Sequence, residues 1–328
     1  MKVGLTYDLR STYIKMGFSE EETAELDKEE TIEAIESAII SLGYVCERIG
    51  NIKDLVEALA TGKRWDLVFN IAEGMFGIGR EAQVPALLDA YRIPYTFSDP
   101  LVLSLTLHKA MTKRVLRDAG VPTSDFFVAS QLEDLAELSF SGPYFVKPVA
   151  EGTSKGVDSS SIVKDRALLP QVVDRIIKKF KQPALIEPYL SGREFTVGII
   201  GTGKKARIIG TLEVILRSTA EEGVYSYLNK EEYEKRVEYH LVEAEQDGIV
   251  QEAETIALSS WRILGCRDAG RVDIKCTKEG IPLFLEVNPL AGLHPKHSDL
   301  PILCRKKGIT YLELIQSILN SALNRVKL

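Results

Sequence analysis

The sequence predicts an α/β protein with α+β organisation in its C-terminal part. In the N-terminal part, apolar segments typical of buried strands alternate with helical segments, and this alternation predicts a parallel, doubly wound sheet. In the C-terminal part, strand-like segments follow one another with one long helix among them, which predicts an antiparallel sheet. The chain is therefore expected to contain two kinds of sheet.

The N-terminal part is expected to form a first domain over residues 1–108. A helix is predicted over residues 22–42, because isoleucines recur on one face of that segment and Gly43 follows as a stop signal. A second helix is predicted over residues 83–91. The predicted strands lie at residues 3–7, 45–49, 67–70 and 93–96.

A second domain is expected over residues 109–190. It begins with a predicted helix at residues 109–119, which ends at Gly120 and is followed by Pro122. The segment 151–156 is too rich in glycine for a regular element and predicts a loop. Predicted strands on either side of this loop lie at residues 143–148 and 184–187.

The third expected domain spans residues 191–328. Helices are predicted at residues 250–264 and 311–326. The segment 221–238 is charged and tyrosine-rich, which predicts a mobile surface loop with a short helix. The predicted strands lie at residues 194–200, 206–216, 269–276 and 282–288.

The composition limits the classes of function. Hydrophobic residues make up 45% of the 328 residues and charged residues 27%, which is ordinary for a soluble globular protein. The formal net charge of −6 disfavours a nucleic-acid partner, because phosphate backbones bind basic surfaces. The four cysteines lack C-x-x-C spacing, and no apolar stretch suits a membrane span or a signal peptide. We therefore expect a cytoplasmic enzyme or binding protein with no membrane partner.

A cluster of oxygen donors is predicted where two C-terminal strands form a hairpin. Side chains two residues apart share one face of a strand, so Glu286 and Asn288 point the same way and Asp273 can lie beside them. Two carboxylates and an amide oxygen suit Mg²⁺, and Arg271 would meet charge that develops on a transferred phosphoryl group. The alternative is a solvated hairpin face with a surface salt bridge.

Two further segments are candidates for a nucleotide site. Lys109 and Lys147, with the loop at residues 151–156, could clamp phosphates between ammonium groups and backbone N–H groups. Residues 187–194 begin where a strand stops, so backbone groups there could pair with an adenine edge while Glu194 accepts from ribose hydroxyls. The alternatives are solvated lysines and a simple connection between domains.

The segment 198–205 matches the spacing G-x-x-x-x-G-K of a phosphate-binding loop. Lys205 replaces the Ser or Thr that ligates Mg²⁺, and the residues that follow are typical of a strand, whereas such a loop needs a helix N-terminus behind it. The segment is therefore predicted to be a turn between strands.

Taken in order, the motifs of this chain resemble the D-alanine–D-alanine ligase family of the ATP-grasp superfamily over nearly the whole length. The resemblance implies an ATP-grasp fold with an N-terminal doubly wound pre-ATP-grasp domain, a small lid domain and a C-terminal antiparallel-sheet domain. ATP would lie between the last two. The resemblance rests on Lys109 and on residues 146–148, 151–156, 190–197, 264–267, 270–273 and 285–288.

The resemblance also implies roles for individual residues. Arg271 would stabilise the acyl phosphate and the tetrahedral intermediate, Thr153 would act in the loop that covers the phosphates, and Lys230 would reach the γ-phosphate from a mobile loop. The implied ligands of two Mg²⁺ ions, which Mn²⁺ can replace, are Asp273, Glu286 and Asn288. The implied ATP-binding residues are Lys109, Lys147, Glu151, Gly152, Thr153, Ser154, Gly156, Glu187, Pro188, Tyr189, Leu190 and Glu194.

The amino-acid half of the site departs from the family pattern. The glycine-rich first loop with its His-Glu-Val-Ser segment is missing, and residues 7–10 with a longer acidic insert stand in its place. After Asn288, His294 replaces a threonine and Ser298 comes one position later than the family's serine. These departures predict a changed substrate. Candidate substrate residues are Gly292, His294, His297, Ser298 and Arg80, with Arg10 as a further candidate for an acidic group.

For the two histidines, the alternative is that they order an irregular loop through backbone hydrogen bonds. For the whole chain, the prediction is an ATP-dependent carboxylate–amine ligase that joins amino-acid or peptide substrates through an acyl phosphate. True D-alanyl-D-alanine synthesis competes with ligation of other amino acids. An ATP-grasp phosphotransferase acting on a small molecule and a non-catalytic ATP-binding module are the other classes left open. A homodimer is expected from the resemblance alone.

Overall fold

The computed structural model of the chain describes residues 1–221, Ser226, Asn229 and residues 233–326. The predicted mobile loop is thus described only in part, and Lys230 lies outside the described residues. The described α-helices are Arg10–Lys15, Glu29–Ser41, Ile52–Ala60, Gln83–Ala90, Pro100–Leu107, Lys109–Asp118, Leu169–Phe180, Tyr233–Arg236, Gly248–Leu264, Asp299–Lys306 and Tyr311–Val326.

Within the part of the chain that the structure describes, the strands form three sheets. The first has the order β2-β1-β3, the second β4-β7-β5-β6 and the third β10-β9-β8-β11-β12. In chain order the strands are β1 (Lys2–Thr6), β2 (Val45–Gly50), β3 (Leu67–Asn70), β4 (Phe127–Ala129), β5 (Tyr144–Pro148), β6 (Ile162–Val163), β7 (Ala184–Pro188), β8 (Glu194–Ile200), β9 (Arg207–Leu216), β10 (Val237–Val242), β11 (Ala269–Cys276) and β12 (Pro282–Asn288).

The N-terminal sheet is parallel, as the alternation of strands and helices predicts. The predicted fourth strand at residues 93–96 is wrong, because only Tyr95 bridges to the sheet, at Val68. The backbone of Phe97 then turns into the left-handed region with a φ of 69°, and its N–H donates to Asp268 at 2.7 Å. A long-range hydrogen bond thus ends the extended segment where local sequence would allow it to continue.

The predicted helix over residues 22–42 is too long at its N-terminal end, because the helix begins at Glu29. Asp27 is held in an extended backbone by a parallel bridge to Leu9. Its N–H donates to the Asp8 carbonyl, and its carbonyl accepts from the Arg10 N–H. This pairing fixes the acidic insert, which is the segment that carries Glu25 and Asp27, against the end of β1. Tertiary contacts thus override the helical pattern of the sequence.

The middle and C-terminal sheets are antiparallel. In the middle sheet, Val173 and Ile176 of the helix Leu169–Phe180 pack against buried Val146 and Ile186. Beneath the C-terminal sheet, Trp261 is fully buried and donates its indole N–H to the Gly201 carbonyl at 3.1 Å. The segment 198–205 contains the end of β8 and most of the turn that leads into β9, so the turn between strands is confirmed.

One hydrophobic core joins the N-terminal sheet to the C-terminal sheet. Ile32, Ile35 and Ile39 lie on the buried face of the helix Glu29–Ser41, in the same cluster as Ile315 and Leu319 of the C-terminal helix. Burial of each such side chain contributes roughly 2 kcal/mol. The shared core therefore holds the end of β1 and the acidic insert in a constant position relative to the strands β11 and β12.

Candidate active site

The hairpin of β11 and β12 gathers the predicted metal ligands on one face. Asp273 pairs with Glu286 and Arg271 pairs with Asn288 in the antiparallel register. Directly paired residues share a face, and residues two apart on one strand share it too. The amide nitrogen of Asn288 lies 3.5 Å from Oδ2 of Asp273. The intervening Val272 points to the other face and is fully buried in the core beneath the helix Gly248–Leu264.

This hairpin face turns toward the predicted phosphate-binding lysines. Asp273 and Glu286 line a cleft of about 830 Å³ that Lys109 and Lys147 also line. Oε2 of Glu286 lies 3.6 Å from Nζ of Lys109. Asn288 lines a smaller adjacent cavity, of about 340 Å³, together with Glu286 and Lys109. The solvated-surface alternative for this hairpin is therefore wrong.

Arg271 is held between carboxylates. Its guanidinium forms a salt bridge with Asp273, and its Nε lies 3.6 Å from Oδ2 of Asp299. Burial by itself would lower the pKa of Arg271, but the carboxylates of Asp273, Asp299 and Glu286 raise it above its ordinary value. Arg271 therefore keeps a fixed positive charge with little freedom to move.

Lys147 shares the carboxylate of Glu187 with a second lysine, Lys113. Nζ of Lys147 lies 3.0 Å from Oε2 of Glu187, and Nζ of Lys113 lies 2.6 Å from Oε1. Burial raises the pKa of Glu187, but the two ammonium groups outweigh burial and bring it down to about 2. Ser124 donates to the same carboxylate at 3.0 Å. Glu187, one of the implied ATP-binding residues, thus orders the two lysines through its carboxylate.

The lining of the cleft also includes apolar side chains. They are Phe145, Leu190 and Leu285, with Tyr189. The N–H of Tyr189 donates to the Pro143 carbonyl at 2.8 Å, so this backbone group, which was expected to be exposed to an adenine edge, is engaged within the sheet. Glu194, the predicted ribose ligand, lies in the cleft and forms a salt bridge of 2.7 Å with Lys275.

The glycine-rich loop lies between this cleft and a second pocket. Glu151 and Ser154 line the cleft, whereas Thr153 lines the second pocket. Thr153 and Ser154 have φ values of 48° and 56°, in the left-handed region that is unfavourable for residues with a side chain. Lys109 donates to the Glu151 carbonyl at 2.5 Å, which ties the first lysine to the loop.

The acidic insert holds this loop from outside the cleft. The carboxylate of Glu25 accepts from the N–H of Gly152 and forms a salt bridge of 2.7 Å with Arg80. Arg80 also donates to the Ala150 carbonyl at 3.0 Å and is only 6% exposed. Arg80 does not line the second pocket, so the structure does not support its predicted contact with substrate. Its guanidinium links the N-terminal domain to the loop.

The second pocket has a volume of about 920 Å³ and lies on the other side of the loop. Arg271 of the hairpin lines this pocket, and so do Glu25 and Asp27 of the acidic insert. The predicted substrate residues other than Arg80 come together here. They are Gly292, His294, His297 and Ser298.

His294 orders the loop that carries these residues. Its Nδ1 accepts from the N–H groups of Lys296 and His297 at 3.2 and 3.3 Å, and its Nε2 lies 3.1 Å from Oε2 of Glu30. The N–H of His294 lies 3.0 Å from the hydroxyl of Ser298. Burial lowers the pKa of His294, although Glu30 acts in the opposite direction. These contacts favour the loop-ordering alternative for His294, while His297 lines the pocket beside it.

A family model described as D-ala D-ala ligase C-terminus matches residues 115–320. The chain belongs to the D-alanine–D-alanine ligase family. A D-alanine–D-alanine ligase from Sinorhizobium fredii is 31% identical over 93% of this chain and 95% of its own length. The uncharacterized protein y4sG of the same organism is 33% identical over 79% of this chain and 75% of its own length.

The fold agrees with a solved member of the family. A crystal structure of a D-alanine–D-alanine ligase from Bacillus anthracis complexed with ATP matches with a TM-score of 0.74 and 22% identity, and covers 100% of this chain and 99% of that chain. The predicted family, the ATP-grasp fold class and the prediction of an ATP-dependent ligase are confirmed. The domain boundaries and the roles of individual residues stay predictions. Across the described residues, none of the helices has the length and apolar character to cross a membrane.

Several charged residues of the site were not predicted from the sequence. Lys113 is fully buried and was absent from the prediction, although its spacing of four from Lys109 places both on one side of the helix Lys109–Asp118. Lys275 follows Asp273 on the same strand face, which is the signal that could have found it. No local pattern identifies Asp299, because its contact with Arg271 joins a helix start to a distant strand.

Proposed function

We propose that this protein is an ATP-dependent ligase that joins the carboxylate of one amino-acid-like substrate to the amine of another through an acyl phosphate. A single observation carries the proposal. One face of the hairpin of β11 and β12 serves both pockets, because Asp273 and Glu286 line the nucleotide cleft whereas Arg271 lines the second pocket. A γ-phosphate and a carboxylate bound on either side would meet at this face.

The oxygen donors of this face fit Mg²⁺. Within the described part of the chain, no group of three or more His, Cys, Asp or Glu side chains is arranged to hold a metal ion by itself. Asp273, Glu286 and Asn288 supply two carboxylates and an amide oxygen, and Mg²⁺ binds through such small sets together with substrate phosphates. Two Mg²⁺ ions, or Mn²⁺ in their place, would supply charge neutralisation at the triphosphate.

The chain's own residues account for the remaining charge. Attack of a carboxylate on the γ-phosphate brings anions together, so fixed cations are needed on both sides of the reacting atoms. Lys109 and Lys147 line the nucleotide side, and Arg271 lines the side of the second pocket. By family resemblance, Lys230 would add a further cation at the γ-phosphate, and Thr153–Gly156 would cover the phosphates.

The second pocket supports substrates other than two D-alanines. Its wall includes the acidic insert, which stands where the family resemblance places a glycine-rich first loop. The loop that carries His294 and His297 replaces the usual ending after Asn288. The relatives named D-alanine–D-alanine ligase thus support the reaction class, and the altered pocket supports a different amino-acid or peptide pair. Use of ATP fits the expected cytoplasmic location.

The test is to incubate the protein with ATP, Mg²⁺ and pooled D- and L-amino acids. A ligase forms ADP, inorganic phosphate and a product whose mass equals two substrates minus water. A phosphotransferase would leave the phosphate on the acceptor, and a binding module would form none of these products. Either result would contradict the proposal.

A further inference from the structure

Arg10 places a nearly buried guanidinium at the second pocket. The residue lines the pocket and is only 9% exposed. Its Nη2 donates to the Glu20 carbonyl at 3.1 Å, while its Nε is buried and has no hydrogen-bond partner. Across the residues that the structure describes, no carboxylate lies within salt-bridge distance of this guanidinium. A buried cation without a counter-ion is costly, so such a group points to a ligand.

The carboxylates around Arg10 are engaged elsewhere. Asp8 accepts from the Tyr13 hydroxyl at 2.6 Å and from the Gly74 N–H at 2.8 Å. Across the pocket, Asp299 accepts from the Tyr239 hydroxyl at 2.9 Å and lies beside Arg271.

The two carboxylates of the acidic insert do not neutralise Arg10 either. Glu25 is bound to Arg80 and to the N–H of Gly152. Burial raises the pKa of Asp27 to about 8, and the nearby Asp8 carboxylate acts in the same direction, so Asp27 is mostly protonated at neutral pH. The other charged or titratable side chains that line the pocket are Lys28, Arg271, His294 and His297.

The backbone of Arg10 is held from two sides. The backbone N–H of Arg10 donates to the Asp27 carbonyl at 2.8 Å, and Arg10 is the first residue of the helix Arg10–Lys15 directly after the bridge from Leu9 to Asp27. The guanidinium itself is held by its burial and by the hydrogen bond from Nη2 to the Glu20 carbonyl. The end of β1 and the acidic insert therefore fix Arg10 together. A fixed guanidinium is well suited to bind a carboxylate through two parallel N–H···O hydrogen bonds.

We propose that Arg10 binds a carboxylate of an amino-acid substrate that is not the carboxylate activated by ATP. This inference rests on the proposed ligase function and names a specificity residue within it. The bound group is either the α-carboxylate of the acceptor or the side-chain carboxylate of an acidic amino acid. Both sources present the same planar anion to the guanidinium.

The experiment measures amino-acid binding without requiring turnover. The wild-type chain, Arg10→Gln and Arg10→Lys are loaded with Mg²⁺ and a non-hydrolysable ATP analogue and titrated by calorimetry with the D- and L-forms of alanine, aspartate and glutamate. Lys15→Gln is the matched control, because Lys15 is an exposed cation of the same helix that does not line the pocket. Circular dichroism checks that each variant is folded.

We expect Arg10→Gln to weaken binding of the preferred amino acid by roughly tenfold to a hundredfold, as for other charge-assisted pairs. Arg10→Lys should retain part of the affinity, and the ATP analogue should bind all variants equally. If Arg10→Gln loses affinity for alanine as well as for the acidic amino acids, Arg10 binds the α-carboxylate. If it loses affinity for the acidic amino acids alone, Arg10 binds the side-chain carboxylate.

Equal binding by the wild-type chain and a folded Arg10→Gln variant overturns the inference, and so does a wild-type chain that binds no amino acid of the panel. The proposed ligase function fails separately. In that case the amino acid binds and depends on Arg10, but ATP and amino acids together give no ADP and no condensed product.

Discussion

The ammonium of Lys147 lies 3.0 Å from the carboxylate of Glu187, and both side chains are buried. Lys113 binds the other oxygen of the same carboxylate. Two lysines thus share one carboxylate at the wall of the cleft, and burial lowers the pKa of Lys113 while Glu187 acts in the opposite direction. Glu187 thus makes it feasible to bury two lysines where the proposed function needs positive charge for phosphates.

Replacing Glu187 with Gln should destabilise the chain by about 3 kcal/mol, because two buried ammonium groups would lose their counter-ion. The pKa of Glu187 is about 2 in the folded chain against an ordinary value of 4.5. Its contribution to stability is therefore complete above about pH 4.5 and is lost as the pH falls toward about 2. Chemical denaturation at several pH values checks this. The exposed Glu137→Gln should behave as wild type, and an equal acid dependence in Glu187→Gln would contradict the prediction.

Glu286→Gln should lower turnover by roughly a hundredfold or more while leaving the unfolding midpoint near that of the wild type, because the carboxylate faces the cleft and not the core. The measurement is ADP release over a range of Mg²⁺ concentrations, with thermal unfolding alongside. Glu279→Gln, in the exposed turn of the same hairpin, is the control. Full activity in Glu286→Gln would remove this residue from the proposed metal site.

Asp27→Asn should reduce the loss of stability that we expect of the wild type as the pH rises from about 4 to about 8. The pKa of Asp27 is about 8 in the folded chain against an ordinary value of 3.8, so the folded state binds a proton that the unfolded state releases. Stability therefore falls as the pH rises from about 4 to about 8. The check is the difference in melting temperature between about pH 5 and pH 8.5, with the exposed Asp118→Asn as control. If Asp27→Asn shows the same difference in melting temperature as the wild type, the raised pKa of Asp27 is refuted.

His294→Ala should lower the free energy of unfolding by about 1–2 kcal/mol, because two backbone N–H groups lose their acceptor at Nδ1. The KM for the amino-acid substrate should rise through disorder of the loop, with the KM for ATP unchanged. His294→Asn, which offers an oxygen near the position of Nδ1, should recover part of both losses. Activity lost in both variants without any loss of stability would instead indicate a direct chemical role for His294.

Local pattern predicted the regular elements of the C-terminal part well. The strands β8, β11 and β12 and the helix Tyr311–Val326 have the predicted bounds. The alternation of side chains along β11 and β12 also placed Asp273 beside Glu286 in the correct register. These features depend on periodicity within a few residues and on one turn, which a sequence displays directly.

The failures lie where distant segments meet. The helix at residues 22–42 is shortened by the pairing of Asp27 with Leu9, and the strand at residues 93–96 is cut short by a hydrogen bond to Asp268. Arg80 was expected beside a substrate but is bound to Glu25 and Ala150. In each case a contact far along the sequence outweighs a local preference of about 1 kcal/mol per residue or less.

The sequence by itself determined the family, the kinds of sheet and the residue types that supply cations and oxygen donors, because these follow from motif order and side-chain periodicity. Only the tertiary structure decided which charges neutralise one another. In the folded chain Glu187 pairs with two lysines and Glu25 pairs with Arg80, whereas Arg10 has no carboxylate within salt-bridge distance among the described residues. The reason is physical, since the electrostatic energy of a buried charge depends on distances across the fold and not on neighbours along the chain.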